Sequence, residues 1–302
     1  MKTVHAIGEF KLIDRIRRRL HRPTSVVAGI GDDAAVARTK HGELLLFASD
    51  MLVEGTHFRR DALSPAAIGW KALACNISDI AAMGGAPLWA VVSLGLPPRT
   101  PIAFVDGLYA GLERCARRNR CAVVGGDTVR APQVIVDVAI IGYAASSQVV
   151  RRSGARIGDT LCVTGRLGGS YLSGHHAAFT PRVAEAQALL KRARIHAMMD
   201  LSDGLASDLW QMSRASGAIL RIEAKQVPIS RAGKTLRHAL MDGEDFELLF
   251  AVAARDVARL PRRMGSCPVT SIGRVVRRGV GVELQRRDGR IVPLIPTGFR
   301  HF

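Results

Sequence analysis

Five short segments of this 302-residue chain place aspartate beside small or turn-forming residues at apolar runs. The five segments are Gly29-Ile-Gly-Asp-Asp33, Ala48-Ser-Asp50, Asn76-Ile-Ser-Asp79, Gly125-Gly-Asp127 and Asp200-Leu-Ser-Asp203. Short apolar runs that stop at turn formers read as buried strands, so the pattern predicts strand ends carrying acidic side chains. With helical stretches between the runs, a purely helical or purely β chain is excluded, and an α/β architecture follows.

Leu44 to Phe47 reads as one buried strand, with Ala48-Ser49-Asp50 as its exit. A helix is expected from Pro65 to Met83, with Ser64 as N-cap, proline in the first turn and Gly84-Gly85 as the stop. Further strands are expected at Leu88 to Leu94, Ala122 to Val124 and Val134 to Tyr143, and an amphipathic helix between Pro101 and Arg118. The segment Ala144 to Asp159 is polar and aperiodic, so the boundary falls inside it, dividing residues 1–148 from residues 149–302. The second unit is expected to hold strands at Thr160 to Thr164, Ala197 to Asp200, Ile219 to Ile222, Phe246 to Val252 and Val269 to Val276. Its helices should follow Pro181, Gly204 and Ala253.

Charge narrows the function. The net charge of +17 comes from 43 basic residues, of which 36 are arginine, against 26 acidic ones. The densest basic cluster, Arg15, Arg17, Arg18, Arg19 and Arg22, runs around a helix and holds no aromatic residue to stack on bases. It reads as a solvated face, and nucleic acid is not the expected partner. The apolar stretch Ala86 to Pro98 is shorter than the roughly 18 to 20 residues that cross a bilayer. Glu9 and Asp14 interrupt any apolar leader, and the five cysteines form no CxxC pair. A cytoplasmic protein with reduced thiols is expected.

The acidic motifs suit Mg²⁺, a hard cation that takes carboxylate and hydroxyl oxygens, and glycines beside them permit close backbone approach. Singly, each motif reads equally as a turn or an N-cap. Bridging Mg²⁺ ions would screen the repulsion between two anionic reactants in phosphoryl transfer. No GxxxxGK[ST] loop and no HRD or DFG set is present, so a nucleotide site must be of another design.

At these residues the sequence resembles the thiamine-monophosphate kinase family, within the superfamily of aminoimidazole ribonucleotide synthetase, selenophosphate synthetase and a hydrogenase maturation protein. The resemblance runs from Gly8-Glu-Phe-Lys-Leu-Ile13 through GIGDDAAV, ASDMLVEGTHF, KALACNISDIAAMGG and VVGGDT. It resumes in RRSGARIGD, MMDLSDGLASDL, DGEDFELLF and the terminal Gly298-Phe-Arg-His-Phe302. It implies a two-domain aminoimidazole ribonucleotide synthetase-like fold, with mixed or antiparallel sheets flanked by helices, and a homodimer paired through the N-terminal domains. It implies direct transfer of the ATP γ-phosphoryl to thiamine monophosphate, with several Mg²⁺ ions and no phosphoenzyme.

Carried over by motif, the implied Mg²⁺ ligands are Asp33, Ser49, Asp50, Asp79, Asp127, Asp200 and Asp203. The implied ATP contacts are Tyr109, Gly126, Asp127, Arg152 and Ser202, with Arg152 a phosphate clamp. His57, Glu244 and Phe299 resemble the thiamine-monophosphate contacts, a carboxylate and an aromatic face both suiting a cationic thiazolium ring. No general base is required, because the acceptor phosphate is already anionic. The chain departs from the family at Ala48, where a serine is common, at Asp242, which adds a charge, and in a short 168–196 region. His175 and His176, adjacent in that region, do not have a metal spacing. Two alternatives are a superfamily enzyme with another acceptor, and a basic polyphosphate- or nucleic-acid-binding protein without turnover.

Overall fold

The structure, a computed structural model, describes residues 3–146 and 148–296. Two short helices, α1 (Val4–Ile7) and α2 (Glu9–Arg17), precede the first sheet. That sheet contains β1 (Val26–Ala28), β2 (Ala35–Arg38), β3 (Leu44–Val53), β4 (Ala86–Leu96), β5 (Ala122–Arg130) and β6 (Ile135–Ala144), in the order β1-β2-β3-β6-β4-β5. Only β4 and β5 run parallel, joined by the crossover helix α4 (Ile102–Arg118).

Alternation on β3 sets the layers. Leu44, Leu46 and Leu52 are buried on the helix-covered side, while Phe47, Ser49 and Met51 face the open side. Helix α3 (Pro65–Ala82) lies on the covered side, capped by Ser64 Oγ accepting from Ala67 N at 3.2 Å. It is apolar nearly all round because α4, the sheet and the second unit all pack on it. Its crossing with α4 is close: a Cβ at Gly69 would meet Leu108 O at 1.9 Å, and one at Gly111 would meet Ala66 O at 2.0 Å.

The second sheet comprises β7 (Thr160–Thr164), β8 (Ile195–Asp200), β9 (Ala218–Glu223), β10 (Leu248–Val252), β11 (Arg263–Met264), β12 (Cys267–Arg278), β13 (Gly281–Gln285) and β14 (Ile291–Pro293). Its order is β14-β13-β9-β12-β7-β10-β8, with β11 paired to β12 and only β13 and β9 parallel. Four helices accompany it: α5 (Ser170–Ser173), α6 (Val183–Arg192), α7 (Leu205–Ser216) and α8 (Leu236–Met241). The mixed, helix-flanked sheets agree with the expected fold class. The units share packing, since Phe179 and Phe246, stacked 4.1 Å apart, sit in the core of the first.

Four expectations change. Asp50 is not at a strand exit: β3 pairs with β6 at every residue from Leu44 to Val53, because the inner-face leucines resume at Leu52. Gly125-Gly126-Asp127 likewise lies within β5, which pairs with β4 as far as Arg130. The segment before β7 is polar in sequence yet packed, with Val150 and Ala155 buried and Met198 N donating to Arg151 O. The turn after Ala253 is a 3₁₀ helix, Ala254–Arg259.

Candidate active site

The two sheets meet at the carboxyl end of α3. Asp79 lies in the last turn of that helix, Asp200 is the final residue of β8, and Asp33 sits in the loop between β1 and β2. One carboxylate oxygen of each lies within 4.8 Å of the others, although the residues are separated by up to 167 positions in sequence. Asp33 and Asp200 are buried and Asp79 half-buried. Ser78 Oγ donates to Asp200 Oδ2 at 2.6 Å. Arg152 donates through Nε at 2.9 Å and Nη2 at 2.5 Å to Asp33 Oδ1, and its backbone N–H to Asp32 Oδ1 at 2.6 Å.

Asp50 joins from the covered face of β3, its backbone N–H donating to Asn76 Oδ1 at 3.1 Å. The electrostatics follow from crowding. Burial, then the charges of neighbouring aspartates, pushes the Asp50 carboxyl up to about 6, and burial with Asp33 nearby raises Asp200 to about 8. Burial holds Asp79 well above the usual range, with Asp50 and Asp200 adding to it. Asp33 is raised by burial even with Arg152 beside it. Burial alone would disfavour the Arg152 charge, but Asp33 holds it protonated.

A single arginine faces these acids, and Asp33 Oδ2 is buried without a hydrogen-bond partner among the described residues. Such a donor set, all hard oxygen and short of positive charge, fits divalent cations of the Mg²⁺ type. Asp203 follows in the loop before α7 and contributes to the raised Asp50 carboxyl. In that loop the Ser202 carbonyl accepts from Glu244 N at 2.7 Å.

Other expected site residues stand apart within one chain. Ser49 and Asp127 lie on the open sheet face. Ser49 Oγ donates to Asp137 Oδ1 at 3.1 Å, and Asp127 lies opposite Ser93 on β4, which itself faces Asp137 on β6. From β3 to β5 is three strand spacings, about 14 Å. Gly126 has a backbone reason to be glycine, since a Cβ there would meet Val92 O at 1.8 Å. Tyr109 is exposed on α4, so it is not the core tyrosine its helix could have hidden.

At the acceptor end, His57 Nδ1 accepts from Val53 N at 3.0 Å, which leaves the ring proton of the neutral imidazole on Nε2. Glu244 is not a free carboxylate: Lys71 Nζ donates to its Oε1 at 2.5 Å. Phe299 lies outside the described residues. Ala48 packs against the first core, and Asp242 accepts from Gly169 N at 2.8 Å and faces His238, a loop tie rather than a substrate charge. His175 Nε2 lies 3.1 Å from the Asp245 carbonyl and His176 Nδ1 3.3 Å from that of Ser170.

Sequence reasoning passed over Lys71, Asp137 and Asp208, and gave Asn76, which opens the Asn76-Ile-Ser-Asp79 motif, no role of its own. Asp208, on α7, is buried with Oδ2 unpartnered among the described residues, and burial holds its carboxyl well above the usual range. The signal for Asp137 was in the sequence: it is the one charge inside an otherwise apolar strand.

Comparison with known proteins places the chain in a family and a fold. Residues 31–144 match the family described as AIR synthase related protein, N-terminal domain, and residues 156–285 its C-terminal domain. The chain is 38% identical to the thiamine-monophosphate kinase of Rhodopirellula baltica, over 95% of each chain. It is 34% identical to that of Bacillus subtilis, over 98% of this chain and all of the relative. Among solved structures, AaThiL complexed with AMPPCP and TMP superposes with a TM-score of 0.86 at 32% identity, covering all of this chain and 99% of that one. The hydrogenase maturation protein HypE of Escherichia coli, at 20% identity and a TM-score of 0.72 over 85% of this chain and 87% of its own, shares the fold.

Proposed function

The chain belongs to the thiamine-monophosphate kinases, a family of AIR synthase related proteins, and from that premise we propose how its residues divide the work of phosphorylating thiamine monophosphate with ATP. The enzyme is a phosphotransferase whose acceptor is itself a phosphate group. A non-bridging oxygen of the acceptor phosphate forms a bond to the γ-phosphorus, the bond from that phosphorus to the β,γ-bridging oxygen breaks, and ADP leaves with the electron pair. The acceptor oxygen is anionic at neutral pH, so no side chain need remove a proton, and catalysis rests on positioning and charge stabilisation.

The observation that carries the reading is the convergence of Asp33, Asp79 and Asp200 from three distant segments, short of countercharge. In the proposed site, Asp33, Asp50, Asp79, Asp200 and Asp203 hold several Mg²⁺ ions, with Ser49 and Asp127 completing the set. Mg²⁺ supplies charge neutralisation on the transferring phosphoryl group. Arg152 fixes Asp33 in place and clamps an ATP phosphate, while Tyr109, Gly126 and Ser202 hold the nucleotide. Residues 1–148 form the nucleotide and dimerisation unit, and residues 149–302 complete both sites. His57, Glu244 and Phe299 are assigned to thiamine monophosphate, with the His57 Nε2 proton as a donor.

A homodimer belongs to the same proposal. The open face of the first sheet carries Phe47, Trp89, Val91 and Val124 around an apolar groove of about 710 Å³. A second copy seated there would cover the groove and enclose Ser49 and Asp127. The cytoplasm is the proposed compartment, a reading supported by five free cysteines, Cys75, Cys115, Cys121, Cys162 and Cys267. No helix among the described residues is long and apolar enough to cross a membrane.

The test is formation of thiamine diphosphate from ATP, Mg²⁺ and thiamine monophosphate, with unphosphorylated thiamine as a second acceptor. Product from the monophosphate alone, lost in Asp50→Ala, is expected. ADP release only with another acceptor would overturn the substrate, and no use of ATP would overturn the enzyme.

A further inference from the structure

Lys71 is the largest fully buried side chain among the described residues, a cation in the middle of the apolar helix α3. A buried ammonium is costly unless paired and hydrogen-bonded, and this one is both. Its Nζ donates to Glu244 Oε1 at 2.5 Å and to the His57 carbonyl oxygen at 2.9 Å. The first partner belongs to the second unit and the other to the loop after β3, so one charge ties together the two residues assigned to the acceptor.

The Glu244 turn requires such a tie. Glu244 and Phe246 have φ of 63° and 48°, a left-handed conformation that side-chain-bearing residues rarely adopt. The turn is anchored by Glu244 N to Ser202 O at 2.7 Å, Phe246 N to Leu201 O at 2.8 Å and Ser170 Oγ to Glu244 O at 2.5 Å. Those bonds act on the backbone, which still carries the strain of two left-handed residues. Only Lys71 fixes the carboxylate among the described contacts, and it leaves the Glu244 side chain 32% exposed while it is itself sealed off.

We infer that Lys71 is a positioning residue for the acceptor: its ammonium sets the place of the Glu244 carboxylate against the His57 loop without touching substrate. The inference rests on the assignment of thiamine monophosphate to this end of the cleft. It also explains how one carboxylate could serve a cationic ring while paired, since the Glu244 side chain remains partly exposed beside its Lys71 partner.

The experiment is a double-mutant cycle of Lys71→Met and Glu244→Gln in the full-length protein, read by steady-state kinetics and hydrogen exchange. Lys71→Met is expected to raise KM for thiamine monophosphate at least tenfold, with KM for ATP changed less than threefold. Amides 242–247 should lose at least tenfold in protection while those of β9 and β13 keep theirs. Adding Glu244→Gln should raise the acceptor KM no further. Multiplying effects, or a raised KM with unchanged exchange at 242–247, would mean direct contact with the acceptor and overturn the inference. Uniform loss of protection, with no selective change in KM, would reduce Lys71 to a fold-stabilising residue and overturn it too. If Lys71→Met does not fold, Glu244→Gln alone carries the exchange test, with unchanged protection at 242–247 again contradicting the inference. Should the wild type make no thiamine diphosphate, the substrate assignment falls, and local exchange decides the role of Lys71 independently.

Discussion

Two groups of buried acids in this molecule are built on opposite terms. In the second unit, Glu247 accepts from Arg182 Nε at 2.7 Å and Thr164 Oγ1 at 2.6 Å, and Asp159 accepts from Arg156 N at 2.7 Å and faces His196 at 2.8 Å. Asp256 accepts from Arg194 N at 3.1 Å. Each of these acids has its own donors. At the end of α3, by contrast, Asp33, Asp50, Asp79 and Asp200 crowd around Arg152, with carboxyls pushed up by burial and by one another. Acids of the first kind hold a fold together. The second kind is tolerable only as a place for positive charge that arrives from outside.

The sharpest way to break this contrast is to neutralise one member of each group. Asp79→Asn is expected to lower kcat by about a thousandfold, roughly 4 kcal/mol of transition-state stabilisation. It should raise the melting temperature of the metal-free protein, because a repelling charge is gone. Calorimetry beside the kinetic assay would show both, and a lower melting temperature would erase the distinction. Glu247→Gln should do the reverse, costing about 3 kcal/mol in urea unfolding by leaving Arg182 underpaired while kcat stays within threefold.

A smaller effect is expected from pH. Asp50, Asp200 and Asp245 are raised to about 6, 8 and 7, so from about pH 4, the ordinary carboxyl value, up to each of those values the folded chain binds more protons than the unfolded chain. Stability of the metal-free protein should therefore fall as pH rises through that window, by up to about 1.4 kcal/mol per pH unit for each carboxyl. Saturating Mg²⁺ should remove the share that belongs to Asp50 and Asp200 and leave that of Asp245. An unchanged slope would separate the cluster from the metal. The least change in stability, within about 0.5 kcal/mol for the separated chain, is expected from Trp89→Glu on the open face of the first sheet. Sedimentation should nevertheless show the dimer lost, and a monomeric wild type would refute the pairing of those faces.

Much of this was legible in the sequence for a physical reason. The limits of β7 and the cap of α3 follow from local patterns, apolar run length and Ser-Pro, which no distant contact overrides. The continuation of β3 past Asp50 and of β5 past Asp127 was not legible, because it depends on pairing with β6 and β4 and not on the residues themselves. The same limit governs the site. The motifs named the acids, but which of them meet is decided by topology: Asp33, Asp79 and Asp200 do, while Asp127 stays on the open face of its own chain. Lys71 escaped notice because a lone lysine is ordinarily a surface residue, and only its burial reveals its use.

Helix α3 has one more property. It carries Lys71, beside the residues proposed for the acceptor, and Asp79, in the acidic cluster, and it crosses α4 closely at Gly69 and Gly111. The two positions lie about 12 Å apart along the axis at 1.5 Å per residue. In the proposed site the helix would serve as a ruler: an acceptor would be measured by the span between its ring and its phosphate, and one with a longer or shorter arm would be turned away by length alone.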